Sequence, residues 1–309
     1  MLRDAFSDVR IWVVFGVILA LLVGPLGPST STMIIIVLMA QMTLSMEGLT
    51  FNASDLRKEG RSIVYSIIAC FGINTVLTLF IGSLFIPYYP GIWEGWVLLA
   101  AVPCAVSVVT MTLYLNGNVK VSVLSSAVIY LIALGLTPAI VLVFLGESVD
   151  PLKILQYVVL FIAIPMILTI PLKRIHMNRE VKRVAINAMM FLLILFSLGY
   201  NREYVLGDPV LILVITVACV IRIFVVGRLI SYFMKRRGVG REKGVVYLSM
   251  AVWKNSGLSV TLCMILFLDS SVAVIPCIIS LLVELLWFTV MMGKSHRDRY
   301  HPTKLPIKV

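Results

Sequence analysis

Charged residues are scarce in this sequence. They make up 13% of its 309 residues, whereas apolar residues make up 60% and the mean hydropathy is +1.04. A soluble domain is about one-quarter charged, so this chain has too little polar sequence to cover a surface that faces water. The composition excludes a soluble enzyme, and the abundance of apolar residues excludes a disordered chain. It predicts a polytopic helical membrane protein.

Histidine and cysteine are few, and neither is placed for metal or redox chemistry. The three histidines lie in basic polar stretches, and the five cysteines lie inside apolar segments without Cys-x-x-Cys spacing. We interpret the cysteines as small apolar packing residues. The sequence also shows no nucleophile–base pair and no nucleotide-binding loop. We therefore expect no cofactor, no metal and no enzymatic activity.

Ten apolar segments follow one another along the chain, and we number them spans one to ten. They are Ile11–Val23, Thr30–Met46, Ser62–Ile86, Trp93–Leu115, Val119–Leu145, Ile154–Leu172, Val181–Leu198, Pro209–Phe233, Gly244–Leu268 and Val272–Met292. A bilayer core needs about 20 residues of helix. Most of the segments are long enough to cross it, some with tilt, and the first is short.

Basic residues are concentrated on one side of this ten-span arrangement. Of the 26 Lys and Arg, loops on one side carry 21, whereas the other side carries only Lys153 and Arg202. Cytoplasmic loops are enriched in Lys and Arg, so both termini are predicted to lie in the cytoplasm, with the chain in the plasma membrane. Nucleic-acid binding is not expected, because no basic groove with interleaved aromatic residues is visible.

The number of spans in each half of the chain is the number expected for an inverted repeat. Residues 1–147 contain five spans and residues 148–309 contain five more, and an odd number gives the halves opposite orientations. The fourth span of each half is interrupted, by Pro103 in span four and by Lys254-Asn255-Ser256-Gly257 in span nine. Matching breaks predict a binding site near the membrane midplane. The alternative is a simple proline kink together with a polar packing patch.

Four stretches resemble the bile acid:sodium symporter family, and their order and separation also fit. They are Met42–Thr50 followed by Asp55-Leu56, Gly117–Val123, Leu136–Val141, and Asn255–Ser259. The resemblance implies ten transmembrane helices in two inverted five-helix repeats, with broken helices four and nine crossing. It also implies a core of spans three to five and eight to ten, and a panel of spans one, two, six and seven. Auxin-efflux-carrier-like permeases share much of this architecture and are the near alternative.

Members of that family move organic anions, usually with sodium, and this sequence departs from them where sodium should bind. At the aligned positions the side chains offer no hard oxygen ligand; these positions are Cys70, Val108, Val109, Met250 and Lys254. Only two hydroxyl side chains of span five, Ser122 and Ser126, are kept. The departures argue against sodium coupling, and proton coupling or uncoupled exchange is the expected alternative.

Lys254 is the most informative polar residue, because an ammonium inside a membrane costs at least about 2.5–3.5 kcal/mol on insertion scales and normally has a partner. Four interpretations remain open: a built-in cation that replaces sodium, a proton carrier, a ligand of an anionic substrate, or half of a structural ion pair. Glu284, in the middle of span ten, is the predicted partner, because consecutive spans are usually neighbours. Arg222 in span eight could meet an anion or a carboxylate.

Further candidate site residues lie on the spans around the two breaks. Ser122 and Ser126 are four residues apart and share a helix face, which serves either helix packing or a wall of the site. Asn255 and Ser256 offer donors and acceptors at the second break, where free backbone N–H groups suit a carboxylate. The remaining candidates are Asn74, Pro103 and Ser107.

The sequence therefore predicts an all-α membrane protein that acts as a secondary transporter. The expected substrate is a small or amphipathic organic anion, moved by alternating access around the crossed breaks. Its other expected partners are the lipid bilayer and a coupling proton. The alternative function is a non-transporting membrane binding or sensor protein that kept the symporter fold.

Overall fold

The computed structural model describes residues 8–24, 26–27, 30–49, 53–146, 149–172, 177–267 and 271–300. Within these ranges the chain is helical apart from short connections, and no β-strand is present. The helices are α1 (Val9–Val23), α2 (Thr30–Met46), α3 (Ala53–Ile67), α4 (Thr75–Ser83), α5 (Pro90–Ala101), α6 (Val108–Tyr114), α7 (Val119–Leu145), α8 (Pro151–Val158), α9 (Ile164–Leu172), α10 (Arg179–Tyr200), α11 (Arg202–Gly207), α12 (Pro209–Arg236), α13 (Arg241–Val252), α14 (Ser256–Leu266) and α15 (Val274–Tyr300).

Two π-helical segments make continuous rods out of four of these helices. Ile68–Asn74 joins α3 to α4, and Val159–Ala163 joins α8 to α9. A π-helical turn shifts the side chains that follow it around the helix axis, and such turns are frequent at functional sites. The first of the two lies beside the breaks described below.

Six helical stretches in the described part of the chain are long and apolar enough to cross a membrane. They are Ser54–Ser83, Val119–Leu145, Leu152–Leu172, Glu180–Tyr200, Pro209–Arg236 and Val274–Met291. Three shorter apolar helices accompany them: Val9–Val23, Thr32–Met46 and Ser256–Leu266. The expectation of an all-helical, multi-pass membrane protein is thereby confirmed. The count of ten spans and their inverted symmetry stay predictions.

The predicted segments coincide with helices, and the differences lie at their ends. Helix α3 begins at Ala53 rather than at Ser62, because a charged first part extends the helix beyond the apolar run. A short helix, Arg202–Gly207, was not predicted. The predicted repeat boundary at residues 147–148, both chain termini and the end of span nine at Leu268 lie outside the described residues.

Side-chain caps mark the starts of several long helices. Asn118 accepts a hydrogen bond from the Val121 amide (3.0 Å) at the start of α7, and Asp208 accepts one from the Leu211 amide (2.9 Å) at the start of α12. Each cap satisfies a backbone N–H that has no partner within the helix.

Two groups of helices pack mainly among themselves. Helix α10 packs against α1 and α2, and α2 also contacts α9. In the other group α5 packs against α4, α7 and α15, and α12 against α13 and α15. Helix α14 belongs to the second group through α5 and α15, yet it also touches α2 and α10 of the first. The start of α14 therefore lies where the two groups meet.

Helix α5 is held by two close approaches that only glycine permits. A Cβ atom on Gly95 would lie 2.0 Å from the backbone oxygen of Ala273, and one on Gly82 of α4 would lie 2.4 Å from the Cβ of Trp96. Both distances are far below van der Waals contact. The carboxyl end of α5, which forms part of the candidate site, is thus placed by tight packing on two sides.

Candidate functional site at the two helix breaks

The two interrupted helices meet at their interruptions. Between α5 and α6 the chain is extended around Pro103, and between α13 and α14 it is extended around Lys254. Cys104 and Lys254 form an antiparallel bridge, in which the Ala105 amide donates to the Trp253 oxygen (3.2 Å) and the Asn255 amide donates to the Pro103 oxygen (2.8 Å). Each break thereby satisfies backbone groups that the other leaves free.

The Lys254 side chain turns toward the carboxyl end of α5. Only 1% of the residue is exposed, and its Nζ donates to the Ala100 oxygen (2.9 Å), the Val102 oxygen (2.9 Å) and the Thr75 Oγ1 (3.1 Å). Three acceptors match the three N–H bonds of an ammonium, whereas a neutral amine has only two N–H bonds. Thr75 Oγ1 in turn donates to the Ala100 oxygen (2.8 Å), so this hydroxyl faces Nζ with a lone pair. The three contacts therefore accommodate the three N–H bonds of an ammonium.

The position of this ammonium has an electrostatic reason. The last carbonyls of a helix have no partner within it and form the negative end of its dipole, and Ala100 lies in the last turn of α5. The Phe71 ring adds a further favourable contact, with its centroid 5.1 Å from Nζ. Phe71 belongs to the π-helical segment, which also ends just before Thr75.

The predicted pair between Lys254 and Glu284 is wrong. Glu284 is fully buried and pairs with Arg222. The Nη2 atom of Arg222 lies 2.7 Å from the Oε1 atom of Glu284. Helices α12 and α15 pack directly on each other, which brings these two side chains together, whereas the Lys254 side chain points away toward α5. Among the described residues no carboxylate lies within ion-pairing distance of the Lys254 ammonium.

A buried polar network extends from the Arg222–Glu284 pair to both sides of the break between α13 and α14. Arg222 Nη1 donates to the Asn74 Oδ1 (3.1 Å), and the Asn74 amide donates to the Ala251 oxygen at the end of α13. Ser280 Oγ donates to Glu284 Oε1 (2.9 Å), and Ser256 Oγ approaches Glu284 Oε2 (3.4 Å). Asn74, Ser256 and Glu284 are therefore brought together, although not around the Lys254 ammonium.

Asn255 organises the start of α14. Its Oδ1 accepts from the Leu258 amide (3.1 Å) as a helix cap, and its Nδ2 donates to the Tyr130 hydroxyl (2.9 Å) of α7. The next turn packs against the first group of helices: a Cβ atom on Gly257 would be at van der Waals distance from Gln41 Oε1 (3.7 Å) and from Leu193 Cδ1 (3.6 Å).

Gln41 is a candidate site residue that the sequence interpretation missed. It is only 6% exposed, and its amide makes no hydrogen bond with the residues that the structure describes. An amide that no described neighbour engages can donate to a polar ligand and accept from it. A single uncharged polar residue in the middle of span two was the available signal.

The remaining candidates are divided between the interior and the surface. Ser122 is buried and accepts a hydrogen bond from Thr112 Oγ1 (3.1 Å), and Ser126 Oγ lies 4.0 Å from Met250 Sδ. The same sulfur atom lies 3.4 Å from Cys104 Sγ. Ser126 therefore faces sulfur atoms, whereas Ser122 faces a hydroxyl. Ser107, at the start of α6, is exposed and caps no amide with its side chain.

Two broken helices that cross inside a multi-pass helical membrane protein are an arrangement of secondary transporters. The model of the Sodium Bile acid symporter family matches residues 32–207, more than half of the chain. The chain therefore belongs to this family of membrane transporters. The matched range contains the first break and ends before α12, so Arg222, Lys254 and Glu284 lie beyond it. No curated protein matches the chain.

Proposed function

We propose that this protein is a secondary transporter that moves a small or amphipathic organic anion by alternating access. In this proposal the tethered charge of Lys254 takes the place of a co-transported sodium ion. Family membership and the multi-pass helical fold support a transporter. The single observation that carries the finer proposal is the ammonium bound by three oxygen atoms at the crossing of the two breaks.

The Lys254 site has the chemistry of a cation site that is already filled. Secondary transporters bind sodium with unwound backbone carbonyls and with the carboxyl ends of half-helices. Here the same type of ligand, the oxygens of Ala100 and Val102 together with the Thr75 hydroxyl, binds the ammonium. A sodium ion in this place would have to displace a covalently attached cation, so sodium is not required for the site to hold its charge.

The anion is proposed to bind at the start of α14. The amino end of a half-helix carries free backbone N–H groups and a positive dipole end, both of which suit an anion. Gln41 adds an amide that makes no hydrogen bond with the described residues, and its Oε1 lies 3.7 Å from the position that a Cβ atom on Gly257 would take. The amide nitrogen of Gln41 is the group that would donate to the anion. The ammonium of Lys254 lies at the same break, so the anion would neutralise its charge.

Movement of the second group of helices against the first would open and close this site. Gln41 and Leu193 belong to α2 and α10, whereas Gly257 belongs to α14, and these helices meet at the start of α14. A displacement of α14 relative to α2 would separate the Gln41 amide from the helix start. We therefore propose α1, α2 and α8–α10 as the panel and α3–α7 with α12–α15 as the moving core.

The test is transport by the purified protein in liposomes. Thermal-shift measurements would first compare singly charged organic anions, namely taurocholate, benzenesulfonate, isethionate and benzoate. Tracer flux of the stabilising anions would then be measured with sodium outside or with choline in its place. We expect saturable flux that is nearly the same in both buffers.

Two results would contradict the proposal. Binding of an anion without flux would indicate a membrane binding protein or sensor that kept the fold. Flux with a steep, saturable dependence on sodium would show that Lys254 does not replace the ion. Lys254→Gln should lose flux in choline, and Lys153→Gln, which changes an exposed lysine in the same way, should keep it.

A further inference from the structure

We infer that this transporter carries one net negative charge across the membrane with each singly charged substrate anion, so that the membrane potential drives the anion out of the cell. The inference rests on the proposed function and on placement in the plasma membrane. The supporting observations are the charges buried at the crossing, which is the place where the two helix breaks meet.

The first of these charges is that of Lys254. Its Nζ faces three oxygen acceptors at 2.9–3.1 Å, so the three N–H bonds of the ammonium are all used. Because the Thr75 hydroxyl donates to the Ala100 oxygen (2.8 Å), a neutral amine would direct its lone pair at an oxygen that has no hydrogen to offer it. In this inference the amine is accordingly a fixed cation that does not deliver a proton with the substrate.

The other buried charges belong to the Arg222–Glu284 pair, which contributes no net charge. Arg222 Nη2 lies 2.7 Å from Glu284 Oε1, and Ser280 donates to the same oxygen. Protonation of Glu284 would leave the Arg222 guanidinium buried without its carboxylate, and breaking a buried pair in this way is strongly unfavourable. The pair is accordingly a poor proton carrier. Among the described residues that form the two breaks and contact them, the charge left without an opposite charge is that of Lys254.

The charge carried per cycle follows from these buried charges. The core with a bound anion is neutral at the crossing, because the anion offsets Lys254, and the empty core returns with one positive charge. The net charge that crosses the membrane in one complete cycle is therefore the charge of the substrate alone. This holds whichever part of the protein moves through the electric field. A sodium symporter that moves two or more ions per anion would give the opposite sign.

The magnitude decides the direction of net transport. One elementary charge crossing 100 mV changes in free energy by about 2.3 kcal/mol, which is about a 50-fold concentration ratio at equilibrium. With the cell interior negative, this ratio favours anion outside the cell. No co-transported cation offsets it, so the expected role is efflux of organic anions rather than their uptake.

The test uses taurocholate, benzenesulfonate and isethionate, because their sulfonates are ionised at every pH used and cross lipid poorly. Proteoliposomes are clamped with potassium gradients and valinomycin at 100 mV of either sign and at zero. We expect about 50-fold accumulation when the lumen is positive and about 50-fold exclusion when it is negative. The equilibrium ratio does not depend on how the transporters are oriented in the vesicles. Lys153→Gln should behave like the unchanged protein.

The outcomes separate this inference from the proposed function. Flux that reaches the same internal concentration at every potential, or that follows a sodium or pH gradient instead, overturns the inference and leaves the proposed transport of anions standing. If none of the three test anions shows flux, both the proposed function and the inference are overturned. Accumulation that follows the potential without sodium supports both.

Discussion

Replacing Lys254 with methionine should abolish transport while changing the stability of the protein only little. Methionine has nearly the same length and keeps the contact with Phe71, but it carries no charge and no N–H donor. The change leaves the Val102 oxygen without its hydrogen bond, whereas the Ala100 oxygen keeps one from Thr75 Oγ1 at 2.8 Å. One buried acceptor is therefore left unpaired, rather than three.

The opposing contributions to stability are of similar size. A buried acceptor without a partner costs about 1–3 kcal/mol. Removing an ammonium from the membrane interior gains back at least about 2.5 kcal/mol on insertion scales, less the hydrogen bonds that it made. We therefore expect the free energy of unfolding of Lys254→Met to change by no more than about 2 kcal/mol, in either direction.

Transport should respond very differently. Without the fixed charge, the crossing has no cation to offset the substrate anion, and we expect sodium-free flux to fall to background. The assay pairs melting temperature in detergent with taurocholate flux into proteoliposomes. Normal flux in Lys254→Met would refute the role of the charge. A loss of stability as large as that of Glu284→Gln would instead make Lys254 chiefly a structural residue.

Three further predictions concern the ion pair, the anion site and the topology. Glu284→Gln should destabilise the protein by roughly 3–5 kcal/mol, because it leaves Arg222 buried and unpaired; in a melting-temperature cycle the double change Arg222→Met with Glu284→Leu should recover much of this loss, and additive losses would argue against the pair. Gln41→Leu should weaken anion binding in the thermal-shift assay without lowering the melting temperature, since its amide has no partner to lose; unchanged affinity would remove it from the site. In a cysteine-free background, an impermeant reagent outside intact cells should label Lys153→Cys and spare Lys235→Cys, and the reverse pattern would invert the proposed topology.

Sequence alone determined the class of the protein and the positions of its helices. Apolar runs of sufficient length become helices in a membrane because every backbone N–H and C=O must be paired within the segment. The predicted spans Thr30–Met46 and Val119–Leu145 therefore coincide with α2 and α7. Pro103 and the polar run after Trp253 likewise marked both breaks, because each disrupts the helical pattern locally.

The partners of the buried charges were decided by the tertiary structure. The acceptors of Lys254 include two backbone oxygens, and every residue has such an oxygen, so sequence offers no sign of which ones a side chain will reach. Glu284 is near Lys254 along the chain, but α15 turns its carboxylate toward Arg222 of α12. Gln41 is recognised as a candidate site residue only in the structure, because α2 packs against the start of α14. Helices form from local hydrogen bonds and local patterns, whereas these contacts depend on how distant helices are rotated and packed.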